Sequence, residues 1–287
     1  MRSGFVAIVG RPNVGKSTLL NRLLGEKVSI VSDKPQTTRH AVRGVLERPD
    51  AQIVFVDTPG IHKPRTPLGG RLNATAIDAQ GGVDAVCVVL DAAAGVGRGD
   101  QYVLARAPSD AVIVLNKIDR QSPPRLLEAL AAAAGAAGAA HSTAEDRHEY
   151  YPVSARTGEG VDELAAALAL RLPEGPALFP PGVVRDAPDA FWAAELVREE
   201  LLARVEEELP HSIATRVTEW EWPRIRCEIL VERDSQKGIV IGKGGLVLKA
   251  VGEAVRAQLP AGAYLELFVR VDKNWQRRPK ALDRLGY

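Results

Sequence analysis

The segment Gly10-Arg11-Pro12-Asn13-Val14-Gly15-Lys16-Ser17 follows directly on the apolar run Phe5–Val9 and leads into Leu19, Leu20, Leu23 and Leu24 at helical spacing. A strand, a GxxxxGKS turn and an amphipathic helix in that order leave few folds open to a chain. The turn aims backbone N–H groups at one spot and the helix adds its positive N-terminus, so the spot suits phosphate. In such a loop Lys16 reaches the terminal phosphates of a nucleotide and the Ser17 hydroxyl holds Mg²⁺.

Four further apolar runs, Ile53–Asp57, Ala85–Asp91, Ala111–Asn116 and Tyr151–Val153, recur between helical patterns. Most are apolar throughout, as strands are when helices cover both faces. The alternation predicts an α/β domain built on a mainly parallel, doubly wound sheet. Arg39–Glu47 is expected as an extra edge strand. Leu126–Ala140 is expected as a helix whose end is frayed by Gly135 and Gly138.

Four of the 19 prolines fall within nine residues, at Pro173, Pro176, Pro180 and Pro181. Such a stretch is extended and marks a linker. The expected organisation is a first domain over 1–172, a linker over 173–189 and a second domain over 190–287. Beyond the linker, Ala194, Val197, Leu201 and Val205 share a helical face, and Leu248, Val251, Val255 and Leu259 mark another. Ile225, Cys227, Ile229 and Val231 alternate with mostly polar neighbours, as do Leu265, Leu267, Val269 and Val271, which predicts half-buried strands. Ser212–Trp222 supplies a third strand, joined through Pro223. The result is a small α+β domain.

The formal net charge of +1 hides an asymmetry. Residues 190–232 carry a net of −5 and residues 233–287 a net of +6. A basic final fifth suits a polyanionic partner. Both cysteines, Cys87 and Cys227, sit inside apolar strands and are expected as buried thiols in a reducing cytoplasm. The N-terminus enters a strand at once and leaves no room for a leader, and no run reaches the ~18 apolar residues of a membrane helix.

Three motifs narrow the nucleotide. Asp57-Thr58-Pro59-Gly60 ends the second strand, where Asp57 would meet Mg²⁺ through water and the Gly60 amide would sense the terminal phosphate. Asn116-Lys117-Ile118-Asp119 ends a later strand. An aspartate there accepts from guanine N1–H and the exocyclic amine together, whereas adenine would leave the carboxylate unpaired. Lys117 would lie along the base, and Ser154-Ala155 would offer a backbone N–H to guanine O6. These motifs in this order, each at the carboxyl end of a strand, point to GTP and GDP.

Gly242-Lys243-Gly244-Gly245 lies between two helical segments. Its glycines let the turn approach a sugar–phosphate backbone, Lys237 and Lys243 add charge, and Ile239 and Ile241 would line a groove for unstacked bases. This is the layout of a KH module, whose GXXG loop clamps about four nucleotides of single-stranded RNA. The αββααβ order resembles a type II KH domain. Trp192, Trp220, Trp222 and Trp275 could stack on bases, although packing onto their own elements is the simpler expectation.

The motif order resembles the translation-factor-like branch of small GTPases, and the whole chain resembles the Era GTPases, which assist maturation of the small ribosomal subunit. GRPNVGKSTLLNRLLGEKVSIVS, PQTTRH, DTPGIHKP, NKID, PVSARTGEG, ERDSQKGIVIGKGG and the tail around Trp275 carry the resemblance. It implies GTP contacts from Gly10, Arg11, Pro12, Asn13, Val14, Gly15, Lys16, Ser17 and Thr18, from Asp57, Thr58, Pro59, Gly60 and Ile61, and from Asn116, Lys117, Ile118, Asp119, Ser154 and Ala155. Lys16, Thr38 and Gly60 would act at the reacting phosphate. Thr38, with Thr37 the weaker alternative, would close over Mg²⁺ beside Ser17 and Asp57.

Ile61 stands where Ras-like enzymes carry a water-orienting glutamine, so slow intrinsic hydrolysis is expected. Asn13 either holds a K⁺ that supplies the missing charge or only stabilises the turn. The resemblance further implies a monomer that binds the 3′ end of 16S rRNA in the 30S particle through Gly242–Gly245, with no DNA partner. It also implies cytoplasmic residence with at most peripheral membrane contact. A rival reading makes the chain an RNA-binding assembly factor in which GTP only locks the shape.

Overall fold

The computed structural model describes residues 1–64, 66–140, 148–206 and 209–287. The chain divides into two units. The first takes Met1–Ser29, Thr38–Pro64 and Gly70–Asp186; the second takes Ile30–Thr37, a short stretch before Gly70, and Ala187–Tyr287.

In the first unit the elements run β1 (Arg2–Gly10), α1 (Lys16–Leu24), β2 (Val42–Glu47), β3 (Ala51–Asp57), α2 (Pro67–Asp78), β4 (Ala85–Asp91), α3 (Arg98–Leu104), β5 (Val112–Asn116), α4 (Pro123–Ala140), β6 (Glu149–Pro152), α5 (Val161–Arg171) and β7 (Arg185–Asp186). The sheet order is β6-β5-β4-β1-β3-β2-β7. The strands from β6 to β3 run parallel, and β2 is antiparallel to β3.

The continuous apolarity of β1 has a simple cause. Val6 and Ile8 point into one core with Leu19, Leu20 and Leu164, while Ala7 and Val9 point into a second with Leu104, Ile113 and Ala133. Each buried Val, Leu or Ile here contributes about 1.5–3 kcal/mol by leaving water, so a polar residue on either face would be costly. With β1 flanked by β3 on one side and β4 on the other, successive connections leave it in opposite directions. A crevice therefore opens beyond its carboxyl end, which is where Gly10 begins the phosphate loop.

Three expectations need correction. Only Val42–Glu47 of the stretch 39–47 is a strand, and it is not an edge, because β7 pairs with it. The helix expected over 126–140 begins at Pro123 and continues through Gly135 and Gly138 without fraying. Ala129, Ala133 and Ala137, one turn apart, bury a flat face that outweighs the ~1 kcal/mol helix cost of each glycine. The proline-rich stretch is no free linker: the Gln52 carboxamide accepts from the amides of Leu178 and Phe179 and donates to the Phe179 carbonyl at 2.7–2.9 Å, and the stretch ends as β7. Those bonds satisfy the backbone of a segment too rich in proline to pair as a regular strand.

The second unit runs α6 (Asp189–Leu202), α7 (Leu209–Ser212), β8 (Ala214–Glu221), β9 (Arg224–Val231), α8 (Asp234–Ile241), α9 (Leu246–Arg256), β10 (Tyr264–Val271) and α10 (Pro279–Arg284). Its sheet order is β10-β9-β8, with β9 parallel to β10 and antiparallel to β8. Trp222 and Pro223 form the two-residue turn between β8 and β9, joined by a cis peptide bond. Ile225, Cys227, Ile229 and Val231 are fully buried beneath α6 and α9, which explains their period of two.

Candidate nucleotide and RNA sites

The phosphate loop is held in shape by left-handed corners at Asn13 (φ 63°) and Gly15 (φ 96°). Gly15 is required for a second reason: a Cβ there would lie 2.3 Å from Asn116 Nδ2. Lys16 Nζ donates to the carbonyls of Arg11 at 2.9 Å and Gly10 at 3.3 Å, so the ammonium is curled inside the loop. Burial pushes Lys16 down to about 8, with Asp57 pulling the other way. A buried cation among carbonyls and N–H groups is a natural seat for phosphate oxygens.

Three oxygens converge beside it. Ser17 Oγ donates to Asp57 Oδ2 at 2.6 Å, and Thr38 Oγ1 lies 2.9 Å from Ser17 Oγ and 3.4 Å from Asp57 Oδ2. Thr37 is turned away, its hydroxyl donating to the Lys34 carbonyl at 2.7 Å. Burial pushes the Asp57 carboxyl up, opposed by Lys16 and by hydrogen bonds from Ser17, Ser29 and Thr38. Asp57 Oδ1 is buried and has no hydrogen-bond partner among the described residues. An orphaned carboxylate oxygen next to two hydroxyls fits Mg²⁺ and its bound water, which would satisfy it.

Gly60 packs against the loop so closely that a Cβ would fall 2.6 Å from the Pro12 nitrogen. The next amide, Ile61 N–H, donates to the Gly10 carbonyl at 3.0 Å. Two residues expected at the nucleotide turn elsewhere. The Thr58 side chain is fully buried and donates to the Ile8 carbonyl at 2.8 Å, tying β3 to β1. The Ile61 side chain lies in the core with Ala7 and Val9, where its apolar surface is best buried.

The NKID motif makes contacts within the unit that its local sequence does not announce. Asn116 Nδ2 donates to the Val14 carbonyl at 2.9 Å, and Lys117 Nζ donates to the Asn13 carbonyl at 2.7 Å and to Asp91 at 2.5 Å. Both side chains brace the phosphate loop. The Ala155 amide, expected to face guanine O6, donates to Asn116 Oδ1 at 3.0 Å. Asp119 accepts from Ser154 Oγ at 2.6 Å and from Arg156 Nε at 2.9 Å, and these hold its carboxyl below the ordinary range, Ser154 foremost.

Sequence reasoning missed Arg156, although it directly follows Ser154-Ala155. It also missed Asp100, whose fully buried carboxylate accepts from Arg11 Nε at 2.6 Å. Asp100 is the third helical residue of α3, a position whose acidic side chain gives no sequence signal beyond helix capping.

In the second unit α8 stops at Gly242 (φ 75°), whose Cβ would meet Val247 Cγ2 at 2.5 Å. Lys243 follows, then Gly244 (φ 60°) and Gly245 (φ 80°), where added side chains would meet no neighbour but would strain the backbone. Lys243 is exposed, as is Ile239 at 57%, while Lys237 and Ile241 are half-buried. A groove of about 350 Å³ runs between α9 and β10, floored by Leu248, Gly252, Leu265 and Leu267 and edged by Lys249, Glu253 and Arg256.

The four tryptophans separate cleanly. Trp275 is fully buried and donates from Nε1 to the Ser212 carbonyl at 3.0 Å; Trp192 belongs to the core; Trp220 packs against it; Trp222 is about half exposed.

This fold and these sites define a P-loop GTPase unit joined to a KH unit. A family model described as a 50S ribosome-binding GTPase matches residues 5–117, and a KH-domain model matches residues 208–276. GTPase Era of Mycobacterium avium is 46% identical over 303 aligned residues, covering 100% of this chain and 99% of that protein. GTPase Era of Mycobacterium tuberculosis is 45% identical, covering 99% and 98%. The chain belongs to the Era family of GTPases.

A crystal structure of an Aquifex aeolicus Era variant bound to GDP·AlF4⁻ superposes with a TM-score of 0.90 at 38% identity, covering 100% of this chain and 99% of that one. A structure of Era in complex with MgGDPNP and nucleotides 1506–1542 of 16S ribosomal RNA superposes with a TM-score of 0.91, also at 38% identity and with the same coverage.

Proposed function

We propose that this chain is a GTP-driven switch that engages the 3′ end of 16S rRNA during maturation of the 30S subunit. The observation that carries the reading is the meeting of Thr38 with Ser17 and Asp57. One hydroxyl, from a class of loop that switches with the bound nucleotide, lies against the two groups that would hold Mg²⁺ beside a terminal phosphate. Ser17 and Thr38 would ligate Mg²⁺ directly and Asp57 would hold its water. Lys16 neutralises the phosphate oxygens and the Gly60 amide senses the γ-phosphate.

The bound metal supplies charge neutralisation between the β- and γ-phosphates. The chain supplies the rest: the loop N–H groups and Lys16 orient the phosphates, and Asp119 selects guanine. Water attacks the γ-phosphorus in line and GDP leaves. With Ile61 in the core, no side chain among the described residues is placed as a general base, so turnover rests on positioning and charge and is slow. Asn13, exposed at a left-handed corner, would hold a K⁺ whose charge would stand in for the missing positive group. Hydrolysis several-fold faster in K⁺ than in Na⁺ is expected, and equal rates would remove that ion from the mechanism.

The GKGG turn takes the RNA backbone and the α9–β10 groove takes unstacked bases, edged by Lys249 and Arg256. The protein acts as a cytoplasmic monomer, and among the described residues no helix is long and apolar enough to cross a membrane. Binding of a short 16S 3′-end RNA is compared with GDP and with a non-hydrolysable GTP analogue. Tighter binding with the analogue is expected. Equal affinity in both states would overturn the switch and leave an RNA-binding factor in which GTP is structural.

A further inference from the structure

Asp57 Oδ2 accepts a third hydroxyl that the phosphate-loop chemistry does not call for. Ser29 Oγ donates to it at 2.9 Å, and Ser29 is 1% exposed. Ser29 is itself built into place by one side chain. Asn21 Oδ1 accepts from the amides of Val28 and Ser29, both at 2.9 Å, and Asn21 Nδ2 donates to the Ser29 carbonyl at 2.7 Å. Asn21 follows Ser17 by four residues on α1, so the two side chains leave the same face of the helix one turn apart.

We propose that Asn21 and Ser29 form a brace that orients Asp57 for Mg²⁺, making Ser29 a positioning residue of the nucleotide site. The argument rests on the Mg²⁺–nucleotide reading given above and extends it. When the Ser17 and Thr38 hydroxyls turn their lone pairs to a cation, the direction of their O–H groups toward Asp57 Oδ2 is set by the position of that cation. Ser29 has no such competing duty. Its bond holds Oδ2 in place and thereby keeps Oδ1, the oxygen without a partner, aimed at the metal's water. One helix face thus provides a metal ligand from Ser17 and, one turn on, the scaffold for the carboxylate opposite it.

The test is a titration of Mg²⁺ against binding of a fluorescent GDP analogue to the full-length protein, with an arm in excess EDTA. Wild type should bind more tightly as Mg²⁺ rises. Ser29→Ala should need roughly 3–10-fold more Mg²⁺ for the half-maximal effect, the range of one lost hydrogen bond to a charged group. Its affinity in EDTA should stay within twofold of wild type. Asn21→Ala should shift the Mg²⁺ midpoint in the same direction, and the double variant should add little to the larger single effect.

An unchanged midpoint in Ser29→Ala overturns the brace while leaving the Mg²⁺ reading intact. Equal weakening with and without Mg²⁺ also overturns it, since that would mark Ser29 as a fold residue only. A wild type indifferent to Mg²⁺ would overturn both.

Discussion

The Ser17 hydroxyl donates to the Asp57 carboxylate at 2.6 Å across a sequence separation of 40 residues. One residue lies in the first turn of α1 and the other ends β3, so the bond forms only because β1 and β3 are neighbours in parallel register, with Ile8 opposite Asp57. The carboxyl edge of the sheet is thereby turned into a binding corner, and Thr38 completes it.

Thr38→Ala removes the hydroxyl that meets Ser17 and Asp57. Hydrolysis should slow by roughly 10–100-fold, the loss of one group acting at the reacting phosphate, while GDP affinity stays within about twofold. Thr37→Ala removes only a bond to the Lys34 carbonyl and should leave hydrolysis within about threefold of wild type. Single-turnover GTP hydrolysis with parallel GDP binding decides this. Equal losses in the two variants would defeat the assignment of Thr38.

Asp119→Asn replaces an acceptor pair by one acceptor and one donor. Guanine nucleotide affinity should fall by roughly 100-fold or more, as one charge-assisted hydrogen bond is lost, the other loses its charge, and the new amide donor faces the exocyclic amine. A xanthine nucleotide, with a carbonyl in place of the exocyclic amine, should gain affinity because the new amide can donate to it. Competition between GTP and XTP measures the exchange. A variant that keeps its preference for GTP would show that Asp119 does not read the base.

Lys243→Asp with Gly244→Asp places two carboxylates on the exposed turn between α8 and α9. Binding of a 16S 3′-end RNA should weaken by at least roughly tenfold, through lost charge attraction and a strained left-handed backbone at position 244. GTP binding should not change. Gel-shift titration at fixed salt tests this, and undiminished RNA affinity would move the RNA site off the turn.

Cys87 and Cys227 are free and buried, and burial pushes each thiol up to about 12. At pH 8–9 neither should react with a thiol reagent in the native protein, and both should react in denaturant. The raised values also favour the fold below the ordinary thiol value of 9.0, and that contribution is lost as pH rises from there toward 12. A native thiol that reacts at pH 8 would show that its strand opens.

The phosphate loop, Asp57, Asp119 and the GKGG turn were legible in the sequence because each depends on local chain geometry at the end of a strand or helix. The places of the Thr58 and Ile61 side chains and the partner of the Ala155 amide are not legible in the motifs. A motif states which residues stand together along the chain, whereas the pleat decides which of them point outward: Thr58 and Ile61 turn back into the sheet. Asn116 and Lys117 were expected at the base, yet their polar ends brace Val14 and Asn13, a separation of about a hundred residues that no local pattern encodes.

By itself the sequence determined the class of ligand and the order of elements, since backbone turn geometry, apolar periodicity and side-chain chemistry are local properties. Only the tertiary structure decided which oxygens share Asp57, that Asp100 holds Arg11, and that the proline-rich stretch lies along the first sheet. Those outcomes depend on strand neighbours and on burial, where a polar group far along the chain must find a partner or remain costly without one.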